Sequence, residues 1–486
     1  MPASTPQINR WVVLVIACLA QFMVVLDNTI VNVALASIQR GLHFSTDALP
    51  WVINAYTLIF GGFLMLGGRA ADLLGRRRLF IAGIALFAGA SILNGLAQSS
   101  TMLVLGRGLQ GLGGALVSPA ALSIIMTTFE DTGERTKALG VWSAVAASGA
   151  AFGLLLGGVL TDLVSWRWNF FVNGPVGVIT ILLALRFVPE SHADLGHRRF
   201  DAAGAVTVTG GLLAIVFGII KAQNWGWGSG KTLGVLAVGV VLLAVFTAIE
   251  ARSTAPLVKL SIFRIRSLMT GNIVMLLVAS AMFGMFYFIS LYVQEILGYS
   301  PLRAGFAFLP VSVGIVIGAG ISQGLIPRFG VRAVATLGLV LATTGMVLLV
   351  GVPVHGSYVS DLLVGLVPLS IGMGLTFVPV TLLGTSGVVA QDAGMASGLF
   401  NSAQQVGGSL GLAILSTLAA NHTASLIHAG ATSPAAQVEA IVSGYHVAFT
   451  AAAVMLGLGA VLLVALLRRR HLAHVSIDPS TAVAAA

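Results

Sequence analysis

Asp27 lies in QFMVVLDNTIVNVAL (residues 21–35) and Arg107 in LGRGLQGLGGA (105–115), both inside apolar runs long enough to cross a bilayer. A charged side chain at bilayer depth costs on the order of 3 kcal/mol even on the lenient insertion scale. Retaining two of opposite sign therefore points to chemistry, since a carboxylate that can hold a guanidinium or a proton is a two-state electrostatic element. At about 1.5 Å per residue, Asp27 lies roughly 24 Å beyond Trp11, and Arg107 roughly 9 Å below the surface that its own run enters near Thr101. The two share a depth and are the only unambiguous opposite charges within spans, so they are expected to form one polar site, directly or through water. A static ion pair serving register or folding is the competing reading.

The neighbours suggest a cavity. Gln21, Asn28 and Asn32 recur at steps of seven and four, which predicts a polar stripe beside Asp27. Arg107, Gly111, Gly114 and Ser118 share another helix face, with Gln110 next to Arg107. The glycines are read as helix packing, because small residues let backbones approach. In MFGMFYFISLY (282–292), Phe283, Phe286 and Tyr287 suit an adaptable apolar pocket, with lipid-facing packing as the default for such a stripe.

Other chemistries lack their residues. GRGLQG (106–111) fits GxGxxG but follows no strand, and no GxxxxGK[ST] is present, so neither a dinucleotide nor ATP is expected. The nine histidines show no metal-ligand spacing, and no metal or cofactor is expected. The triplet Asn421, His422, Thr423 matches a glycosylation acceptor, a pattern short enough to arise by chance. A membrane-embedded enzyme would need a nucleophile with a base, or a metal set, at one depth, and neither is found.

These residues must be positioned by membrane helices. The chain is 57% hydrophobic and 8% charged over 486 residues, where soluble domains carry roughly a quarter charged residues. Fourteen apolar runs follow one another, the first at 11–38 and the last at 444–467; the first is read as a retained span, not a cleaved leader. With a cytoplasmic N-terminus, nineteen Lys and Arg fall on the inner side and five on the outer, so both termini are expected in the cytoplasm of a plasma-membrane protein. The net charge of +9 then reflects topology and anionic lipid, with no nucleic-acid partner implied. The lone Cys18 excludes an intramolecular disulfide.

A shift of about 255 to 260 residues lays Gly75 over Gly330, Arg77 over Arg332, Gly114 over Gly374 and Pro119 over Pro379. The expected organisation is a six-helix bundle at 1–190, a linker with two extra transmembrane helices at 191–266, a second six-helix bundle at 267–470 and a cytoplasmic tail at 471–486. Parallel halves with a site between them at mid-depth are a transporter architecture.

Several motifs resemble one family. GGRAADLLGRRR (67–78) is similar to the loop motif of the major facilitator superfamily, with Gly68, Asp72, Gly75, Arg76 and Arg77 in the matching places. LGRGLQG resembles its fourth-span motif, and LDNTIVNVAL (26–35) the first-span motif of its fourteen-span drug:H+ antiporters. ASGAAFGLLLGG (147–158) partly resembles the fifth-span antiporter motif, keeping Gly149, Gly153, Gly157 and Gly158 for packing and gating. Leu154 and Ala36 stand where prolines are usual, which bears on gating and not on the fold. The resemblance implies an all-α major facilitator fold of fourteen spans. It also implies proton-coupled export, by alternating access, of hydrophobic drugs or antibiotics, cationic ones among them, by a protein acting as a monomer. Asp27 and Arg107 would couple the proton, Gln21, Asn28, Asn32, Gln110, Phe283, Phe286 and Tyr287 would line the cavity, and the loop residues would latch the two halves in one conformation. Proton-coupled import, or facilitation, of a small metabolite is the alternative.

Overall fold

A computed structural model describes residues 9–129, 131–191, 201–253, 256–385, 387–388 and 393–467. The tail assigned to 471–486 lies outside the described residues, which contain no strand. Polar residues cut the apolar sequence into helices. Ser99, Asp131, Asp201, Ser229, Ser300 and Ser433 each accept a hydrogen bond from a backbone N–H in the first turn that follows, and Pro301 and Pro434 open their helices where no N–H is needed.

The first bundle comprises α1 (Arg10–Leu42), α2 (Trp51–Leu74), α3 (Arg76–Gly95), α4 (Ser100–Thr128), α5 (Thr132–Leu163) and α6 (Trp168–Phe187). The extra pair is α7 (Ala202–Trp225) and α8 (Gly230–Arg252). The second bundle comprises α9 (Arg266–Ile296), α10 (Pro301–Phe329), α11 (Val331–Leu349), α12 (Tyr358–Thr385), α13 (Ala393–His428) and α14 (Pro434–Leu466). On their described residues, thirteen of these are long and apolar enough to cross a bilayer, and α5 contributes the shorter apolar stretch Phe152–Leu163. The chain is a multi-pass membrane protein.

The repeat read from sequence is also a repeat of packing. In the first bundle α1 packs on α5, α4 and α6, while α4 also takes α2 and α3; in the second, α9 packs on α13, α12 and α14, while α12 takes α10 and α11. Gly75 (φ 108°) and Gly330 (φ 82°) turn the chain at corresponding corners, in backbone conformations that L side chains rarely adopt. Just beyond those corners Arg77 donates to the Leu185 carbonyl at 2.7 Å and Arg332 to the Val464 carbonyl at 2.9 Å. Each corner is thus pinned to the last helix of its own bundle.

The halves meet along two seams, α2 with α13 and α5 with α10. Helix α7 lies against both α2 and α13, covering the first seam. Asp47, in the α1–α2 connection, accepts from Lys221 at 3.2 Å and Asn224 at 2.9 Å near the end of α7. Burial alone would raise the Asp47 carboxyl, but hydrogen bonds from Ser45, Lys221 and Asn224 and the Lys221 charge outweigh it and hold it below the ordinary carboxylate value. The tether therefore contributes at neutral pH and is lost only as pH falls through that lowered value.

Helix α5 seats α1 through small residues. Gly149 faces Phe22 and Val25, Gly153 faces Leu26 and Thr29, and Gly157 faces Ile30, whereas Gly158 meets Pro301 and Leu302 of the other half. A Cβ on Gly153 would stand 2.9 Å from the Leu26 carbonyl oxygen, next to Asp27, so the two backbones could not keep their spacing. Gly153→Leu should lower stability by about 1–3 kcal/mol, the usual range for overpacking. Thermal unfolding in detergent checks it, with Gly320→Ala, whose added methyl would meet nothing within 4 Å, as a control expected to show no loss.

Candidate functional site

Asp27 and Arg107 are in direct contact. Arg107 Nη1 lies 2.5 Å from Asp27 Oδ2, and both side chains are essentially inaccessible. Helix α4 brings Arg107 in from the side opposite to the start of α1, which is why two residues eighty positions apart reach one depth. The guanidinium is divided among fixed partners: Nε donates to the Val52 carbonyl at 2.9 Å, Nη1 also to Gln110 Oε1 at 2.9 Å, and the cation stands 4.3 Å from the centre of the Tyr56 ring. These contacts use the planar fork, which an ammonium could not reproduce.

The carboxylate sees donors from several helices. Besides Arg107, Gln110 Nε2 donates to Oδ1 at 2.6 Å and Asn173 Nδ2 to the same oxygen at 2.9 Å. Behind them Asn94 donates to Gln110 Oε1 at 2.9 Å. Ser91 receives hydrogen bonds from Gln110 at 3.1 Å and Asn173 at 2.9 Å and passes its own proton to the Phe170 carbonyl at 2.8 Å. The charge is satisfied, and it is satisfied entirely by hydrogen-bond donors.

Asn173, Ser91 and Asn94 were not among the candidates read from sequence. Their signal was weak: a lone Asn or Ser in an apolar run costs little and recurs in packed spans. The position of Asp27 relative to the polar stripe also needs correction. At about 100° per residue, Gln21, Asn28 and Asn32 fall within about 40° of one another but roughly 100° or more from Asp27. Asp27 points into the first bundle, while the three amides occupy another sector and are half-buried. The Asn32 carbonyl accepts from Ser290 of α9 at 2.6 Å, which turns that sector toward the second half.

Gln110, expected in the cavity, belongs to the sealed network and is fully buried. Tyr287 is buried in the second bundle, its ring 5.1 Å from that of Phe288, and lines no cleft. Phe283 and Phe286 are partly open, and Phe286 packs its ring 5.5 Å from that of Phe308. On α9 they fall in the same sector as Ser290, the residue that touches Asn32. The Ser290–Asn32 contact brings the α1 sector that carries the amides to the α9 sector that carries Phe283 and Phe286, with the Phe283 ring also lying against Gly408 of α13.

The loop motif forms the α2–α3 corner. Asp72 stands in the last turn of α2, and its side chain lies outside the described residues. Gly68 packs on Pro119 of α4, and the Arg76 N–H donates to the Ser191 carbonyl at 3.0 Å. The backbone N–H groups of Arg77 and Arg78 donate to the Glu190 carboxylate at 3.1 and 3.2 Å, an anion at the start of α3. The partners described for Arg77, Leu185 and Glu190, are in its own bundle, so this grip is on the end of α6 and not across the halves.

Described hydrogen bonds between the halves are Ser290 to the Asn32 carbonyl, Ser402 to the Gly61 carbonyl at 2.8 Å, and Thr57 with Ser409. With the Gly158–Pro301 contact, most of this closure lies toward the end of the molecule where α1 finishes, at Leu42.

The family model described as Major Facilitator Superfamily matches residues 17–412. The chain is 42% identical over 460 residues to the puromycin resistance protein pur8 of Streptomyces alboniger, covering 94% of this chain and 91% of that one. It is 38% identical to the cephamycin export protein CmcT of Amycolatopsis lactamdurans, covering 84% of this chain and 85% of that one. Among solved structures, an inward-facing bacterial homologue of the human lysosomal transporter Spinster superposes with a TM-score of 0.65 at 17% identity, covering 95% of this chain and 97% of that one.

A donor-only shell makes Asn173 worth most when Asp27 is charged. Asn173→Ala should cost about 1–3 kcal/mol, the range for a buried acceptor losing a partner. In an Asp27→Asn background the cost should shrink, and a double-mutant cycle of unfolding in detergent reads the difference. Equal costs in the two backgrounds would separate Asn173 from the carboxylate.

Proposed function

The chain belongs to the major facilitator superfamily, and from that premise we propose that it is a proton-coupled exporter of hydrophobic antibiotics or drugs, with Asp27 as its proton site. Export is supported by what the relatives are named for, puromycin resistance and cephamycin export. Proton coupling is supported by one observation above the rest: the only partners described for the Asp27 carboxylate are donors.

That arrangement gives the site two incompatible states. Ionised, Asp27 accepts from Arg107, Gln110 and Asn173 at once. Protonated, it brings an O–H to contacts that are all donors: Gln110 Oε1 already receives Arg107 and Asn94, and a buried acceptor left without a partner, Asn94 Oδ1, is not among the atoms that touch the carboxyl. The proton therefore forces the Gln110 amide to turn over or Arg107 to withdraw toward Val52 and Tyr56. Either change alters the seating of α1, and α1 carries both the amide sector and the Asn32 contact with α9. A proton taken up from one side and released to the other can thus be exchanged for a movement of the cleft. One elementary charge moved through 100 mV supplies about 2.3 kcal/mol, before any pH difference is added.

The bias of Lys and Arg supports a plasma-membrane orientation with both termini cytoplasmic, so the closure toward Leu42 lies outside and the cleft opens inward. Nothing in the cycle calls for a second subunit, and a monomer suffices. The loop carrying Gly68, Asp72, Gly75, Arg76 and Arg77 holds α3 against α6 in this state, and Asp72 is the residue assigned to grip the opposite half in the other.

In proteoliposomes with an imposed proton gradient, Asp27→Asn should abolish uphill export while the protein remains monodisperse, because amide and carboxylate are nearly isosteric and only titration is lost. Arg107→Lys should retain part of the rate, keeping charge without the fork. Undiminished uphill export by Asp27→Asn would refute the proton site.

A further inference from the structure

We infer that the substrate crosses as an electroneutral species with hydrogen-bonding groups, and that the cleft discriminates against organic cations of the same shape. The inference rests on reading the space between the α1 amides and the α9 phenyl rings as the substrate's path.

The spans carry two mid-membrane formal charges, Asp27 and Arg107. Both are withdrawn from the cleft, paired with each other and enclosed by the first bundle. The half-buried Gln21, Asn28 and Asn32 share the α1 sector that meets the second half at Ser290, and the partly open Phe283 and Phe286 share the α9 sector of Ser290. The two walls are neutral.

The amides are also incompletely used. Gln21 Oε1 is buried without a partner. Asn32 spends its Nδ2 on the Asn28 and Thr29 carbonyls, and the Asn28 amide has no partner among the described residues. The Asn28 amide can donate to a ligand's carbonyl, phosphoryl or hydroxyl oxygen, and Gln21 Oε1 can accept from a ligand hydroxyl or neutral N–H, so a ligand can satisfy both without bringing charge.

Magnitudes decide against a cation. Taking an ion out of water costs several kcal/mol even after relaxation. Without a carboxylate, the walls can return only cation–π attraction, about 0.5–2 kcal/mol per ring, and contacts with neutral amide oxygens. Proton uptake makes this worse, since a neutral Asp27 leaves the Arg107 charge uncompensated. Asp27, the carboxylate of α1, is turned away from these walls and cannot offset a cation between them.

The test uses two probes of nearly one shape: triphenylphosphine oxide, neutral with an acceptor oxygen, and methyltriphenylphosphonium, a cation with a methyl in that place. Binding to the purified full-length protein in nanodiscs is measured at one fixed pH by competition. The oxide should bind roughly tenfold or more tightly than the phosphonium. Phe283→Ala should weaken both, locating them in the cleft. Asn28→Asp should reverse the order by placing a carboxylate on the amide wall, and Asn28→Ala should weaken the oxide alone. Phosphonium binding as tight as the oxide in the unaltered protein, or binding of neither probe, would overturn the inference. A preserved preference in a protein that exports neither probe would instead count against export, so the two failures are distinguishable.

Discussion

Everything else in the first bundle is arranged around a carboxylate that water does not reach. In a low-dielectric interior an ionised Asp27 is tolerable only if its oxygens are filled, and filling them draws Arg107 and Gln110 from α4 and Asn173 from α6, with Ser91 of α3 behind. Four helices are thereby fixed around one group. The small residues of α5 complete the seat, because Gly149, Gly153 and Gly157 let its backbone close on α1 from the other side. A packing arrangement that would otherwise be generic acquires a defined register from one charge and its donors.

The sequence made this centre visible because charge in an apolar run is rare and expensive. Asp27 and Arg107 needed no alignment to be noticed, and helical rise alone put them at one depth. The shell was much harder to see, since Asn173, Ser91 and Asn94 are polar residues of a kind that packed spans tolerate. Direction was harder still. Gln21, Asn28 and Asn32 look adjacent to Asp27 in the chain, yet a single residue turns a helix by about 100°, and that step separates the cleft from the core. The same one-residue step separates Tyr287 from Phe286. The internal repeat was legible down to its corners, where Gly75 and Gly330 share a backbone conformation that few residues other than glycine adopt.

The two halves keep the same packing and have diverged in chemistry. At the register that lays Gly114 over Gly374 and Pro119 over Pro379, Val367 occupies the place of Arg107. The second bundle has no charge of its own at that depth and carries phenyl rings in the sector that meets the first, where the first carries amides. In the proposed cycle titration and recognition would be separated on one helix, because Asp27 looks inward to its bundle and Asn28, the next residue, lies in another sector.

The covering of the α2–α13 seam by α7 has a mechanical meaning. Two equivalent bundles facing each other could rock about an axis midway between their seams, with neither edge favoured. Here a third body rests on both partners at one edge and is tethered near one end by Lys221 and Asn224 to Asp47. Any relative displacement of the bundles at that edge must carry α7 with one of them and shear it along the other, whereas the α5–α10 edge bears no such load. The insertion thereby breaks the two-fold equivalence of the edges, making one resemble a door's hinge side and the other its swing side.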